Sequence, residues 1–149
     1  MLLKEVCTAS VGSCGPQTTV LQAASLMRHR HVGDLVVVDD PQDEGIPLGV
    51  VTDRDIVLEV LGNGLDPAKT TVGSLMRKPV VIAHESEDTT QAIERMHAHG
   101  VRRLPVVAQE GQVIGIITLN DLLRLFVADA NLLLGVMTKG QINEQHARR

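Results

Sequence analysis

The chain contains 149 residues, of which 44% are apolar and 21% charged, and its formal net charge is −4; this composition is typical of a globular domain, or of two small halves that share one core. No apolar run approaches the roughly 18 residues that span a bilayer, and the first residues lack the basic and apolar regions of a signal peptide, so we expect a cytoplasmic protein with no membrane partner. Basic residues form no long run and Phe126 is the only aromatic residue, which argues against nucleic acid binding through a basic surface or an aromatic stacking platform.

The first half of the chain predicts an extended segment, a helix, two buried strands and a second helix. Thr18 or Thr19 can cap the first helix, whose apolar residues recur at helical spacing from Val20 to Met27. Short apolar runs on either side of a polar, glycine-containing loop are typical of paired strands. The extended segment, the two strands and the second helix are placed at residues 9–13, 35–38, 48–51 and 56–61.

The second half repeats this order. At an offset of 69 residues, seven positions of segment 20–38 are identical in segment 89–107. Asp88 or Thr89 can cap the first helix of this copy. Its extended segment and strands are placed at residues 80–82, 104–107 and 113–117, and its closing helix at residues 122–127 or beyond. At an offset of 66, a Gly-x-x-Thr-x-x-Asp element recurs, at Gly49, Thr52 and Asp55 and again at Gly115, Thr118 and Asp121.

An internal repeat of this kind predicts an α/β fold of two β-α-β-β-α motifs that pack through their sheets with pseudo-two-fold symmetry, because one motif alone leaves a sheet face uncovered. We divide the chain into a first motif (1–65), a second motif (66–128) and a C-terminal helix with a polar tail (129–149). The apolar stripe from Ala130 to Met137 suits either a helix over the protein's own core or a dimer face. We expect residues 138–149 to fray.

The Gly-x-x-Thr-x-x-Asp element has a structural and a functional interpretation. A threonine that begins a helix, followed three residues later by a carboxylate, resembles a capping box, which satisfies free N–H groups of the first turn. The same residues form a coherent nucleotide grip, because a helix start binds phosphate and a carboxylate accepts the two hydroxyls of a ribose. Recurrence of the element in two matched contexts favours the functional interpretation.

The repeat, the two Gly-x-x-Thr-x-x-Asp endings and the run Val-Arg-Arg-Leu-Pro-Val-Val at 101–107 resemble the cystathionine-β-synthase (CBS) motif, which occurs in pairs. The resemblance covers about residues 6–126. It implies two CBS motifs packed through their sheets, two clefts between them that bind adenosyl ligands, and assembly into a homodimer.

Site residues follow from the resemblance position by position. The ribose-binding acid falls on Asp55 and Asp121, and the hydroxyl at the helix start falls on Thr52 and Thr118. The remaining positions wall the base or approach phosphate. The first cleft is assigned Ser13, Asp34, Leu35, Val36, Thr52, Arg54 and Asp55, and the second cleft Ile82, Arg102, Arg103, Leu104, Pro105, Thr118, Asn120 and Asp121.

The two copies differ in charge before the base-walling strand. The first has Gly33 and Asp34 where the second has Arg102 and Arg103. The two arginines suit either a solvated charged pair or a phosphate contact. On the second interpretation we expect the second cleft to prefer AMP, ADP or ATP, and the first cleft to be empty, weaker, or suited to a less negative ligand such as S-adenosylmethionine.

Other reactive residues indicate neither a metal site nor catalysis. Cys7 and Cys14 are too few for a structural zinc site, and we expect reduced thiols rather than a disulfide. Histidines two residues apart, as in 29–31 and 97–99, do not share a helix face. The sequence contains no Walker loop or nucleophile elbow.

We therefore expect a stand-alone, Bateman-type regulatory module that senses adenine nucleotides, forms a homodimer and acts on an unknown regulated protein. The expected ligand is AMP, ADP or ATP, with S-adenosylmethionine and NAD-type molecules as further candidates and no required cofactor. The alternative is a structural or interaction module with degenerate clefts that docks to an enzyme or transporter. An enzyme that acts on nucleotides ranks third.

Overall fold

The computed structural model of the chain describes residues 1–43 and 45–148. Met1–Ile117 form one compact unit, and a second unit begins at Thr118. The elements are α1 (Leu3–Val6), β1 (Ser13–Cys14), α2 (Val20–Arg30), β2 (Asp34–Val38), β3 (Pro47–Thr52), α3 (Asp53–Asp55), a π-helical segment (Ile56–Leu61), α4 (Val72–Leu75), β4 (Ala83–His84), α5 (Thr89–His99), β5 (Arg103–Val107), β6 (Val113–Thr118) and α6 (Leu119–Ala147). The strands form two three-stranded sheets, β1-β2-β3 and β4-β5-β6, which confirms the predicted α/β pair.

Strand β2 shows how the two sheets share the core. Its successive side chains point to opposite faces, and all four residues after Asp34 are buried. Leu35 and Val37 belong to the core cluster of the first motif's own helices. Val36 and Val38 instead cluster with Ile116 of β6 in the second motif. The sheets therefore pack on each other through one face, while the helices cover the other.

The short helix α1 precedes the first motif but binds the second. Leu3 N donates to the Glu87 carbonyl oxygen at 2.8 Å, and Thr8 and Ile116 pair as an isolated antiparallel bridge. The short helix α4, which leads into the second motif, makes the matching contacts with the first motif. There Val72 N donates to the Thr18 carbonyl oxygen at 2.9 Å.

Each motif is thus completed by the segment that leads into the other motif. The segments are equivalent at the offset of 69 that relates the motifs. Neither helix was predicted, because four residues are too few for a helical period to show.

The caps of α2 and α5 agree with the sequence interpretation. Thr19 and Asp88 each accept from the backbone N–H three residues on. At their C-termini both helices end in the left-handed region, at His31 with φ 55° and at Gly100 with φ 65°. Glycine adopts this conformation without strain whereas histidine does not, so the first motif carries a small cost that the second avoids.

Several boundaries differ from the predictions. β1 and β4 begin at Ser13 and Ala83 and not within residues 9–12 and 80–82. The expectation of a frayed tail from residue 138 was wrong, since α6 continues to Ala147; Arg149 lies outside the described residues. Leu133, Leu134 and Met137 of the apolar stripe are exposed and cover no core.

Among the described residues, none of the helices could span a membrane.

Gly115 in β6 leaves the space that Cys7 fills. A Cβ atom at position 115 would lie 2.5 Å from Cys7 Sγ and 3.1 Å from the Thr8 carbonyl oxygen. We expect Gly115→Ala to lower the free energy of unfolding by about 1–3 kcal/mol, the usual cost of overpacking, as measured by chemical denaturation.

Two variants make this prediction specific. Removing Sγ with Cys7→Ala in the Gly115→Ala background should recover part of the loss. Gly140→Ala in α6 is the control, because nothing lies within 4 Å of its added Cβ, and it should be neutral or stabilise by up to about 1 kcal/mol. Wild-type stability in Gly115→Ala would contradict the close contact.

Candidate functional site

One cleft of about 470 Å³ lies within the first unit, in the size range of small-molecule sites. Three stretches of chain meet there: the end of β3 with α3, the segment between α4 and β4, and the turn between α5 and β5. Its lining residues are Val50, Thr52, Asp53, Arg54, Asp55, Arg77, Pro79, Val80, Val81, Gly100, Val101, Arg102 and Arg103. The cleft is therefore built from both motifs.

Asp55 is the buried acid of this cleft. It is 7% exposed and is the one charged residue that is buried among those the structure describes. A capping box holds it, in which Thr52 N donates to Asp55 Oδ2 at 3.0 Å and Asp55 N donates to Thr52 Oγ1 at 3.1 Å. The predicted cap is thus present, and it engages only one of the two carboxylate oxygens.

The second oxygen faces an arginine that the sequence did not single out. Arg77 Nη2 lies 3.6 Å from Asp55 Oδ1, and the Arg77 side chain is 77% exposed. Position 77 lies just beyond α4, where the repeat gives no signal, because its counterpart in the first copy is Thr8.

The walls and rim of the cleft differ in polarity. Apolar side chains come from Val50, Val80, Val81 and Val101, while four arginines and two aspartates also line it. Aliphatic walls can sandwich an apolar ring without aromatic stacking, and an excess of arginine favours an anionic ligand. The arrangement suits an anionic ligand with a flat apolar ring.

The predicted first-cleft residues divide into two groups. Thr52, Arg54 and Asp55 line the cleft. Leu35 and Val36 are fully buried in the core, and Ser13 pairs with Val36 in the sheet; these three residues do not line the cleft.

The predicted second-cleft residues are also separated. Arg102 and Arg103 line the same cleft as Asp55. Leu104 and Pro105 are buried in β5, and Ile82 lies just before β4, next to the lining residue Val81. This cleft therefore combines the acid of the first motif with the arginines of the second, which the sequence assigned to different clefts.

Thr118, Asn120 and Asp121 belong to the second unit. Within it the capping box recurs, since Thr118 N donates to Asp121 Oδ2 at 2.9 Å and Asp121 N donates to Thr118 Oγ1 at 3.2 Å. Thr118 Oγ1 is also 2.7 Å from Asp121 Oδ2. Asn120 is exposed.

Asp34 and Arg103, which were expected in different clefts, form an ion pair with each other. Arg103 Nη1 donates to Asp34 Oδ2, and both side chains are partly buried. The two positions are equivalent at the offset of 69. Their charges compensate each other, so this pair does not support the expected difference in charge between two clefts.

The cysteines and the possible metal ligands are reactive groups that the sequence predictions did not assign to this cleft. Cys7 and Cys14 are free thiols, and burial raises the pKa of both, which keeps them protonated near neutral pH. In the described ranges, no group of three or more His, Cys, Asp or Glu residues could hold a metal ion.

The Asp34–Arg103 pair predicts a measurable coupling between the motifs. In a double-mutant cycle with Asp34→Ala and Arg103→Ala, we expect a coupling free energy of about 0.5–1 kcal/mol, the upper range for partly exposed pairs. The reversed pair, Asp34→Arg with Arg103→Asp, should recover part of the stability that either reversal alone loses. Additive single changes in urea denaturation would show that the pair contributes nothing.

Sequence relatives share this arrangement of motifs. A family model for the CBS domain matches residues 3–62 and 72–128. The CBS domain-containing protein YhcV of Bacillus subtilis is 35% identical over 120 residues, which are 80% of this chain and 81% of the relative. An uncharacterized protein of Methanopyrus kandleri is 34% identical over 121 residues, which are 81% of this chain and 60% of that longer relative.

Solved structures agree. The CBS domain pair of protein MJ0100, in complex with 5′-methylthioadenosine and S-adenosyl-L-methionine, matches with a TM-score of 0.75 at 26% identity and covers 87% of this chain and 98% of its own. Hypoxic Response Protein I, with two coordinated zinc ions, matches with a TM-score of 0.73 at 31% identity over 83% of this chain and 98% of its own. Since the family model matches both halves and most of the residues, the chain belongs to the CBS domain family, as a tandem pair.

Proposed function

We propose that this CBS pair is a non-catalytic regulatory module that binds an adenine nucleotide, AMP, ADP or ATP, in the Asp55 cleft. Binding changes its shape or assembly, and a regulated partner protein responds to that change. The bound adenosyl ligands of the MJ0100 pair, a 26% identical neighbour, support this class of ligand.

The proposal rests on the hydrogen bonding of the buried Asp55 carboxylate. A buried carboxylate is costly unless its oxygens are satisfied, and here the cap satisfies Oδ2 while Oδ1 has only a distant, exposed arginine. A ribose diol offers the hydroxyl donors that Oδ1 lacks. The proposal therefore places the ribose at Asp55, the base among the valines, and phosphate near the arginines.

A second site is part of the proposal. Thr118 and Asp121 repeat the cap geometry of Thr52 and Asp55, and Asn120 stands where the first element has Arg54. An asparagine is a poorer partner for phosphate than an arginine. We therefore assign the weaker nucleotide affinity to the Asp121 site, the reverse of the preference that the sequence suggested.

Asp55→Asn tests the ribose contact without removing the cap. The amide oxygen can still accept from Thr52 N, but the NH₂ group that replaces Oδ1 cannot accept from a ribose hydroxyl. We expect calorimetric titration with AMP to show a loss of about 1.5–3 kcal/mol at this site, the scale of a hydrogen bond to a charged group.

Glu59→Gln is the matched control. It makes the same change of charge on the exposed side of the π-helical segment, outside the cleft, and should leave AMP affinity unchanged. Equal affinity in wild type and Asp55→Asn would exclude Asp55 as the ribose acceptor. Wild-type protein that binds none of the three nucleotides would refute the function and favour the interaction-module alternative.

We further propose that two copies form a symmetric dimer through the helices that close each motif. Val57 and Leu61 are 53% and 62% exposed, and at the offset of 66 they recur as Leu123 and Val127, which are also exposed. Exposed apolar side chains that recur in both motifs are typical of interaction surfaces, and a symmetric dimer is formed through such self-complementary contacts.

Sedimentation velocity at micromolar concentration checks the dimer. We expect wild type to sediment as a dimer and Leu61→Glu as a monomer, because a charge would have to be buried in the contact. Leu21→Glu, at a leucine on α2 that is 54% exposed, should remain dimeric. A monomeric wild type would count against this assembly.

A further inference from the structure

Arg77 occupies the place at Asp55 that the proposed function gives to a ribose. The cap takes up Asp55 Oδ2 through Thr52 N, and the Arg77 guanidinium stands 3.6 Å from Oδ1. A ligand diol that binds Oδ1 therefore competes with the Arg77 guanidinium for this oxygen.

Little holds Arg77 in this position. Its side chain is 77% exposed. Within residues 1–43 and 45–148, Arg77 forms an ion pair only with Asp55. The pair is exposed only at its Arg77 end, where water screens the guanidinium and the long side chain loses freedom. The Asp55 carboxylate is buried and needs a donor in its place. A bound ribose supplies hydroxyl donors to that carboxylate and can thus replace the guanidinium at Asp55.

The displaced guanidinium stays at the cleft, because Arg77 is one of its lining residues. Of the other arginines there, Arg103 is already paired with Asp34. Among the described residues, Arg77 has no ion pair other than the one with Asp55. A phosphate group is the ligand chemistry that a guanidinium binds best, often through two parallel hydrogen bonds.

We infer that Arg77 determines the ligand class of this cleft by exchanging Asp55 for the ligand's phosphate. The inference rests on the proposed function. A phosphorylated nucleotide supplies both a diol for Asp55 and an anion for Arg77. An uncharged adenosyl compound supplies only the diol and leaves the displaced guanidinium unpaired, and a cationic one adds repulsion. The cleft therefore selects nucleotides that carry phosphate.

The counterpart of Arg77 in the first copy is Thr8, whose backbone pairs with Ile116. A threonine hydroxyl neither pairs with a carboxylate as a cation does nor attracts phosphate by charge. The selection is thus a property of the Asp55 cleft and does not follow from the repeat itself.

The test is a titration of the full chain and Arg77→Gln with two probes, AMP and 5′-methylthioadenosine. The variant should bind AMP about tenfold or more weakly, because a charged hydrogen bond is lost. It should bind 5′-methylthioadenosine equally or up to about fivefold more tightly, because the competitor at Asp55 is gone. Arg77→Gln should therefore lower the affinity for AMP relative to the affinity for 5′-methylthioadenosine.

Lys78→Gln is the control, since it removes the same charge from the adjacent exposed residue, which does not line the cleft; it should leave both affinities unchanged. If Arg77→Gln weakens both probes by one factor, or leaves AMP binding unchanged, the exchange is refuted although the cleft binds adenosyl ligands. If wild type binds neither probe, the proposed function fails and the role of Arg77 fails with it.

Discussion

The exchange of leading segments between the two motifs is the constraint on which the candidate site depends. Helix α4 leads into the second motif, yet Val72 hydrogen bonds to Thr18 of the first. Because α4 is held there, the next residues bring Arg77 to Asp55 of the first motif and then carry the chain to the wall residues before β4. Neither motif alone contains all the lining residues of the cleft, so the cleft forms only when the two motifs pack together. The glycine of each Gly-x-x-Thr-x-x-Asp element belongs to this constraint, since a Cβ at Gly49 would lie 2.9 Å from Met76 Sδ of the exchanged segment.

The capping box shows that the structural and functional interpretations of the repeated element are compatible. Thr52 and Asp55 satisfy each other's backbone N–H groups at the first turn after β3, as a cap does in any helix. The same contacts orient the Asp55 side chain and leave Oδ1 outside the cap, where it faces Arg77. A cap that needs only one carboxylate oxygen thus orients the other, and a buried, preoriented acceptor lowers the ordering cost of binding.

Most of the fold could be predicted from the sequence because its signals are local. Apolar periods, the Thr19 and Asp88 caps and the repeated element define the order of strands and helices, and the repeat implies the paired sheets. The composition of the cleft could not be predicted in this way. An internal repeat shows which residues are equivalent but not which are in contact. Assigning one cleft to each copy assumed that the site residues of the first copy do not contact those of the second. The sequence did not indicate that Arg77 contacts Asp55. That contact can be predicted only when α4 is known to pack on the first motif, and α4 is too short for a helical period to show.

The pseudo-two-fold relation explains why the most visible difference between the copies does not distinguish two clefts. Residues near such an axis meet their own counterparts, so the contrast of Asp34 with Arg103 becomes an ion pair between the motifs. The neighbouring contrast has a local cause. A Cβ at Gly33 would lie 3.0 Å from Asp53 Oδ2, so Asp53 accounts for the glycine in the first copy. Differences that give a cleft its own ligand preference must lie away from the axis, where a residue faces a different partner in each copy. Arg77 and Thr8 meet this condition, because each lies in an exchanged segment beside the element of the other motif.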